Sequence, residues 1–286
     1  MANILTYEKK REILQSMNLT SDIFSSKVFE SPEVLEELLM ILTGRQMKLR
    51  EVRSQYSIRN LSTHSVVLDV YAEDAQGCLV HLEIQNRDND QHLKRTRYCR
   101  SCIDCTQLDR GVPYGDLPDL IQIFITQKDF LKSGCALVYN TKKYEDGVTE
   151  IYFNLSSKSG EPEAIGHLQQ YFLDTTPENE SPYFPMLVNR VNFLKYDTKG
   201  VDDMCEIMDK IRLDGVEEGM KEGVKEGSLT SWREALCQLL QETGMIPEGL
   251  YEKIQNQENE SCLKDWFRIA VHAGSIEEFT RAAGLA

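Results

Sequence analysis

The chain has 286 residues, with 32 Lys and Arg against 46 Asp and Glu, giving a net charge of −14 near neutral pH. Its 41% hydrophobic content supports a sizeable buried core and excludes a disordered or collagen-like chain. No apolar run reaches the roughly 18 residues of a membrane-spanning helix, and Met1–Arg11 lacks the apolar centre of a signal peptide, so a cytoplasmic protein with no membrane partner is expected. The eight cysteines are scattered, which fits free thiols in a reducing compartment. The acidic balance argues against a conventional DNA binder, yet it is uneven. Residues 1–130 carry 16 basic and 19 acidic side chains, and residues 131–286 carry 16 and 27.

Residues 1–45 read as helices. Ser31-Pro32 starts one, Gly44 stops it, and Val34 or Leu35 with Leu38, Leu39 and Leu42 makes its buried stripe. Residues 46–60 read as a strand. Residues 66–85 then form a hairpin around Ala75-Gln76-Gly77, with Gly77 in the left-handed position. Val80, Leu82 and Ile84 alternate with His81, Glu83 and Gln85. The register pairs Asp74 with Cys78 and so Asp69 with Glu83, and opposed residues have Cβ atoms roughly 5 Å apart. Two carboxylates so close repel unless a cation sits between them, and a divalent metal with oxygen ligands is the simplest candidate. The alternative is a pair of solvated strand-end acids, which a one-residue slip of register would separate.

A basic amphipathic helix is expected from about Asp90 to Asp109, capped by Asp88 or Asp90, with Gly111 past its end. Cys99, Cys102, Ile103 and Thr106 form its buried stripe, and Lys94, Arg97 and Arg100 fall on the outward face. These three are either a solvated face or a track for a nucleic-acid backbone. Arg95 and Gln91 lie near the buried stripe and look back at the hairpin. Arg95 is either a structural partner for Asp69 or Glu83 or a clamp on phosphate. Cys99, Cys102 and Cys105 fan around the helix, which favours core packing over a metal cluster.

These residues resemble a known family. Asp69, Glu83-x-Gln85, Lys94-Arg95-x-x-Tyr98, Gly111-x-x-Tyr114-x-x-Leu117-Pro118 and the upstream Asp22-x-Phe24 look like the PD-(D/E)XK nuclease superfamily, nearest to its transposase-like, recombination-promoting branch. The resemblance covers residues 20 to 130 well and continues weakly to about 230. It implies an α/β fold with a restriction-endonuclease-like core, a central mixed β-sheet flanked by helices. It also implies a metal-dependent DNA endonuclease. Asp69, Glu83 and the Ile84 carbonyl would hold Mg²⁺ (or Mn²⁺), Asp69, Glu83, Gln85 and Arg95 would be catalytic, and Lys94, Arg97 and Arg100 would contact DNA. Gln91 and Tyr98 would support the site from behind. Gln85 stands where the superfamily has Lys, so Arg95 or Lys94 would supply the missing cation. The rival reading is a catalytically degenerate nuclease fold that binds nucleic acid or protein.

Further strands follow at Leu120–Thr126, Ala136–Asn140 and Thr149–Leu155, the last two around Glu145-Asp146-Gly147. Residues 160–200, with four prolines, read as irregular. The repeat GVEEGMKEGVKEG places Gly at every fourth position, and each Gly costs a helix about 1 kcal/mol. It reads as a marginal helical spacer or a self-association seam. The expected organisation is therefore a nuclease-like domain over 1–213, a Gly-rich linker over 214–228 and a helical appendage over 229–286. A homo-oligomer would form through the repeat or the C-terminal helices.

Overall fold

The computed structural model of the protein describes residues 5–58, 65–85, 92–140, 146–157 and 162–285. Three helices open it: α1 (Tyr7–Ser16), α2 (Asp22–Phe29) and α3 (Pro32–Thr43). Pro32 occupies the first turn of α3, where its missing N–H costs nothing, and Gly44 closes the helix at φ +68°. The expected stripe of α3 is buried, with both Val34 and Leu35 in it.

Six strands follow: β1 (Leu49–Ile58), β2 (Val66–Asp74), β3 (Leu79–Gln85), β4 (Leu120–Thr126), β5 (Leu137–Asn140) and β6 (Val148–Asn154). They form one mixed sheet in the order β1-β2-β3-β4-β6-β5. β1, β2 and β3 are antiparallel neighbours, and β3, β4 and β6 run parallel. Helix α4 (His92–Asp104) makes the crossover from β3 to β4, as a parallel pair requires. It buries Cys99, Cys102 and Ile103 in a cluster with Leu68, Leu79 and Leu120. α2 and α3 lie against β1. Flanking helices cover β3 and β4 so completely that even their polar members His81, Glu83 and Gln122 are buried. The sheet and its helices are those of a restriction-endonuclease-like α/β core.

The hairpin loop forms as expected. Asp74 N–H donates to the Cys78 carbonyl at 2.9 Å, and Gly77 sits at φ +86°. α4 is shorter than expected: past Asp104 the chain tightens into turns, with Thr106 N–H donating to Ile103 O and Gln107 N–H to Asp104 O. Thr106 is therefore exposed rather than part of the stripe, and buried Thr96 extends that stripe at the other end. Asp88 and Asp90, expected to cap α4, and Glu145 lie outside the described residues.

Residues 160–200 are not irregular. They hold α5 (Glu163–Leu173) and α6 (Pro185–Tyr196). The prolines mark helix starts rather than breaks: Pro162 caps α5 and Pro185 begins α6. Lys195 on α6 is buried and donates to Gln15 O at 2.9 Å and Thr175 Oγ1 at 2.8 Å, with its ammonium 5.3 Å from the centre of the Phe24 ring of α2. Burial lowers it to about 8.

The chain divides into two compact units, Met1–Glu206 and Ile207–Ala286. Helix α7 spans Thr198–Thr243 and takes in the whole glycine repeat. Extending an existing helix adds one hydrogen bond per residue fixed and avoids the cost of nucleation. Glu217 and Lys221 pair at 2.6 Å, while Val216, Met220 and Val224 stay exposed. The second unit has its own core. Leu229, Leu236 and Leu240 of α7 meet residues of α8 (Glu248–Gln255), α9 (Glu260–His272) and α10 (Ile276–Ala282), including Ile254, Leu263, Trp266 and Phe279.

Because residues 214–227 carry four glycines and expose every side chain, limited proteolysis should cut first between Asp214 and Ser228. A chain ending at Leu213 should stay folded by circular dichroism. An insoluble fragment would show that the appendage belongs to the nuclease-like fold.

Candidate active site

β3 and α4 together bring three of the expected residues, Glu83, Gln85 and Arg95, to one place. Glu83 is 0% exposed, and both its carboxylate oxygens are occupied. Oε1 accepts from Gln85 Nε2 at 2.7 Å, from Arg95 Nε at 2.9 Å and from Arg95 Nη2. Oε2 lies 3.3 Å from His81 Nε2. Arg95 arrives from α4, one residue before the buried Thr96, with its side chain 45% exposed. Its inward aim is the one expected from the helical wheel.

Asp69 sits where β2 parts from β3 while remaining paired with β1. The β2–β3 ladder ends at Val70↔Leu82, one step before Asp69 and Glu83 would face each other as a regular pair. The Asp69 carboxylate takes up the next bond instead, with Oδ2 accepting from the Ile84 N–H at 2.8 Å. The strictly opposed pair is therefore replaced by a carboxylate that caps the partner strand.

The surroundings drive the two acids in opposite directions. Burial first, and the neighbouring Glu83 charge second, push Asp69 up to about 7. Burial also works against the charged form of Glu83, but the His81 hydrogen bond and the Arg95 guanidinium outweigh it and hold Glu83 below its ordinary value. Glu83 is bonded to the Arg95 guanidinium whereas Asp69 receives neutral donors, so a cation added here would relieve Asp69.

Two further residues join the site, Gln55, which carries no signal in the sequence, and Asp22, whose motif did not assign it a place here. Gln55 adopts φ +49°, a region that side chains other than Gly rarely occupy. Its β1 neighbours Ser54 and Tyr56 pair with Val70 and Leu68, so it stands opposite Asp69. Its Nε2 donates to Ser26 Oγ at 3.0 Å and reaches Asp69 Oδ1 at 3.4 Å. Asp22 at the start of α2 adds its charge to the field on Asp69. The sequence motif contained Asp22, but nothing in its local pattern places it here.

The outward trio does not hold together. Lys94 and Arg97 are exposed, but Arg100 Nη1 donates to the buried Glu150 of β6 at 3.0 Å. Glu150 also accepts from Asn140 Nδ2 at 2.6 Å, so Arg100 neutralises an interior acid. Tyr98 lies on the exposed side of α4, and Gln91 lies outside the described residues. Cys99 and Cys102 are buried while Cys105 is exposed, and burial pushes the Cys99 thiol up to about 12. Among the described residues, no three His, Cys, Asp or Glu side chains converge as a metal cluster.

Asp69 and Glu83 supply two hard oxygen donors. That suits a Mg²⁺-like ion, which is held by one or two carboxylates and keeps water and substrate oxygens as its other ligands. Ile84 follows Glu83 on β3, and its N–H bonds the Asp69 carboxylate. Among the described residues, no helix is long and apolar enough to cross a membrane.

No curated protein and no solved structure matches the chain. A family model described as PD-(D/E)XK nuclease family transposase matches residues 23–162, from α2 through β6, and so takes in Asp69, Glu83, Gln85 and Arg95. That match supports the PD-(D/E)XK nuclease superfamily and its transposase-like family for this stretch of the chain, and with it a nuclease-like, recombination-associated role.

Proposed function

We propose that the protein is a divalent-metal-dependent DNA endonuclease whose site is built on Asp69, Glu83, Gln85 and Arg95. The observation that carries this reading is the pair of buried carboxylates with opposite charge balance, Glu83 compensated and Asp69 raised to about 7. Strong environmental shifts on adjacent acids mark sites of chemistry more often than sites of packing. Asp69, Glu83 and the Ile84 carbonyl would hold Mg²⁺ or Mn²⁺. When bound, the ion supplies charge for the phosphate and a more acidic water.

The chain's own residues do the rest. Arg95, half-exposed and anchored by Glu83, presents guanidinium N–H groups to a phosphate oxygen in forked geometry. The Gln85 amide orients a neighbouring oxygen by hydrogen bonding and carries no charge. Gln55 fixes the Asp69 carboxylate from the β1 side. Lys94 and Arg97, exposed on α4, track the DNA backbone.

The rival reading is a nuclease fold retained as a binding module. It draws on Gln85 in place of Lys and on the Arg95–Glu83 ion pair, which shows that a protein cation can occupy one carboxylate. Calorimetry and plasmid nicking separate the two. Asp69→Asn and Glu83→Gln should each abolish Mn²⁺ binding and nicking. Unchanged binding in both variants would sink the enzyme reading.

Arg95→Ala should lower kcat about 100-fold or more while changing DNA affinity little. Neutralising Lys94 and Arg97 together should weaken DNA binding and reduce the slope of log K against log salt by about 2. Arg100→Ala should instead cost about 1–3 kcal/mol of stability with an unchanged salt slope, because it strips a donor from buried Glu150.

The raised Asp69 gives a pH signature with a definite sign. Its folded value lies above the ordinary carboxylate range, so the fold favours the protonated form. Without metal, stability should fall as pH rises from about 4 towards about 7. Metal must displace that proton, so Mn²⁺ affinity should climb about tenfold per unit below pH 7 and level off above it. A flat affinity between pH 5.5 and 7 would contradict this assignment.

A further inference from the structure

We infer that His81 and Gln122, which the proposed chemistry does not use, are positioning residues that lock the Glu83 carboxylate and helix α4 into one unit; the inference rests on the reading of Glu83 as a site residue. The argument begins in the sheet. The parallel β3–β4 register sets His81 beside Gln122. Gln122 Nε2 donates to His81 Nδ1 at 3.1 Å and to the Thr96 carbonyl of α4 at 3.2 Å. His81 Nε2 reaches Glu83 Oε2 at 3.3 Å. Arg95, next to Thr96, returns to Glu83 Oε1 at 2.9 Å. The bonds form a closed loop: Glu83, His81, Gln122, Thr96, Arg95 and back to Glu83.

The direction of each bond follows from the Thr96 carbonyl. A carbonyl only accepts, so the Gln122 atom facing it is the amide nitrogen. The same nitrogen faces His81 Nδ1, which must then be the acceptor. The ring proton is left on Nε2, aimed at Glu83. Gln122 thus selects the tautomer that donates to the carboxylate. A bond to the other ring nitrogen fixes metal-ligand histidines in the same manner; here it is passed one residue further, to an acid.

Stability does not explain this arrangement. His81, Glu83 and Gln122 are all 0% exposed, and Gln122 Oε1 is buried without a hydrogen-bond partner among the described residues. An orphaned buried acceptor costs about 1–3 kcal/mol. The rest of β4 is Leu120, Ile121, Ile123, Phe124, Ile125 and, at its end, Thr126, so an apolar pair at 81 and 122 would suit the two strands and remove that cost, whereas changing Gln122 alone takes the donor from His81 Nδ1. Places where a strand departs from its own apolar pattern at a cost are the expected marks of function. What Gln122 supplies is orientation. Glu83 cannot rotate away from Arg95 and Gln85 while His81 holds Oε2, and α4 cannot slide along the sheet while Thr96 is tied to β4.

The test uses the full-length protein, wild type and Gln122→Met. Nitrogen-15 NMR of labelled histidine reads the His81 tautomer, with the resonance assigned by its loss in His81→Leu. Wild type should show the proton on Nε2, and Gln122→Met a mixed tautomer. In Gln122→Met, kcat for plasmid nicking and Mn²⁺ affinity should each fall at least about tenfold. KM for DNA should stay within about twofold, and Tm should change little, because the orphaned Gln122 acceptor is removed while His81 Nδ1 loses its donor. A wild-type proton on Nδ1 would overturn the inference without any variant having to fold. So would a Gln122→Met protein with wild-type kcat and Mn²⁺ affinity, or one whose losses only follow a drop in Tm. Wild-type protein that neither binds Mn²⁺ nor nicks DNA would overturn the proposed function, and this inference with it. An active wild type matched by an equally active variant would overturn this inference alone.

Discussion

Glu83 puts a carboxylate on a strand buried on both faces, where an unpaired charge would cost several kcal/mol. The surrounding structure supplies that charge with donors from three directions. Gln85 comes from the same strand, Arg95 from the crossover helix, and His81 from the strand interior. The crossover is what makes this possible. A parallel β3–β4 pair needs a helix between its strands, and the helix that makes the connection also brings a guanidinium to the one acid the sheet cannot solvate. Placing Arg95 and covering the parallel strands are therefore a single structural event.

Asp69 shows what happens where that supply stops. The antiparallel ladder ends at Val70↔Leu82, and the carboxylate beyond it bonds the Ile84 N–H of the neighbouring strand. One backbone donor and a long contact from Gln55 do not offset burial and the Glu83 charge. The site therefore holds one acid stabilised as an anion and one biased towards its proton. That asymmetry is the physical requirement for a site that exchanges a proton for a cation near neutral pH.

The parts of this arrangement that depend on local periodicity were legible in the sequence. The hairpin, its loop with Gly77 and the inward aim of Arg95 follow from periods of two and 3.6 residues over short spans. The parts that depend on partners far along the chain were not. Arg100 looked like an exposed cation because its partner Glu150 lies fifty residues away on another strand. His81 and Gln122 meet only through the parallel register, which no local pattern announces. Gln55 owes its place to a backbone conformation that its residue type does not suggest. The helices α5 and α6 were hidden because proline marks a helix start as readily as a break. The glycine repeat, read as a helical linker of low propensity, lies within one long helix, where each added residue gains one hydrogen bond.

The charge distribution reconciles an acidic chain with a DNA substrate. At physiological ionic strength a charge is screened beyond about 8 Å, so a phosphate near the site senses its immediate neighbours rather than the net −14. Residues 131–286 hold 27 of the 46 acids, and only 16 of the 32 bases. Near Glu83 and Asp69 the local balance is different. Arg95 faces the site, Lys94 and Arg97 stand exposed on the same helix, and a divalent ion would bring two further positive charges. Under the proposed function, the net acidity would disfavour nucleic acid away from these cations, and binding at the site would depend on the ion.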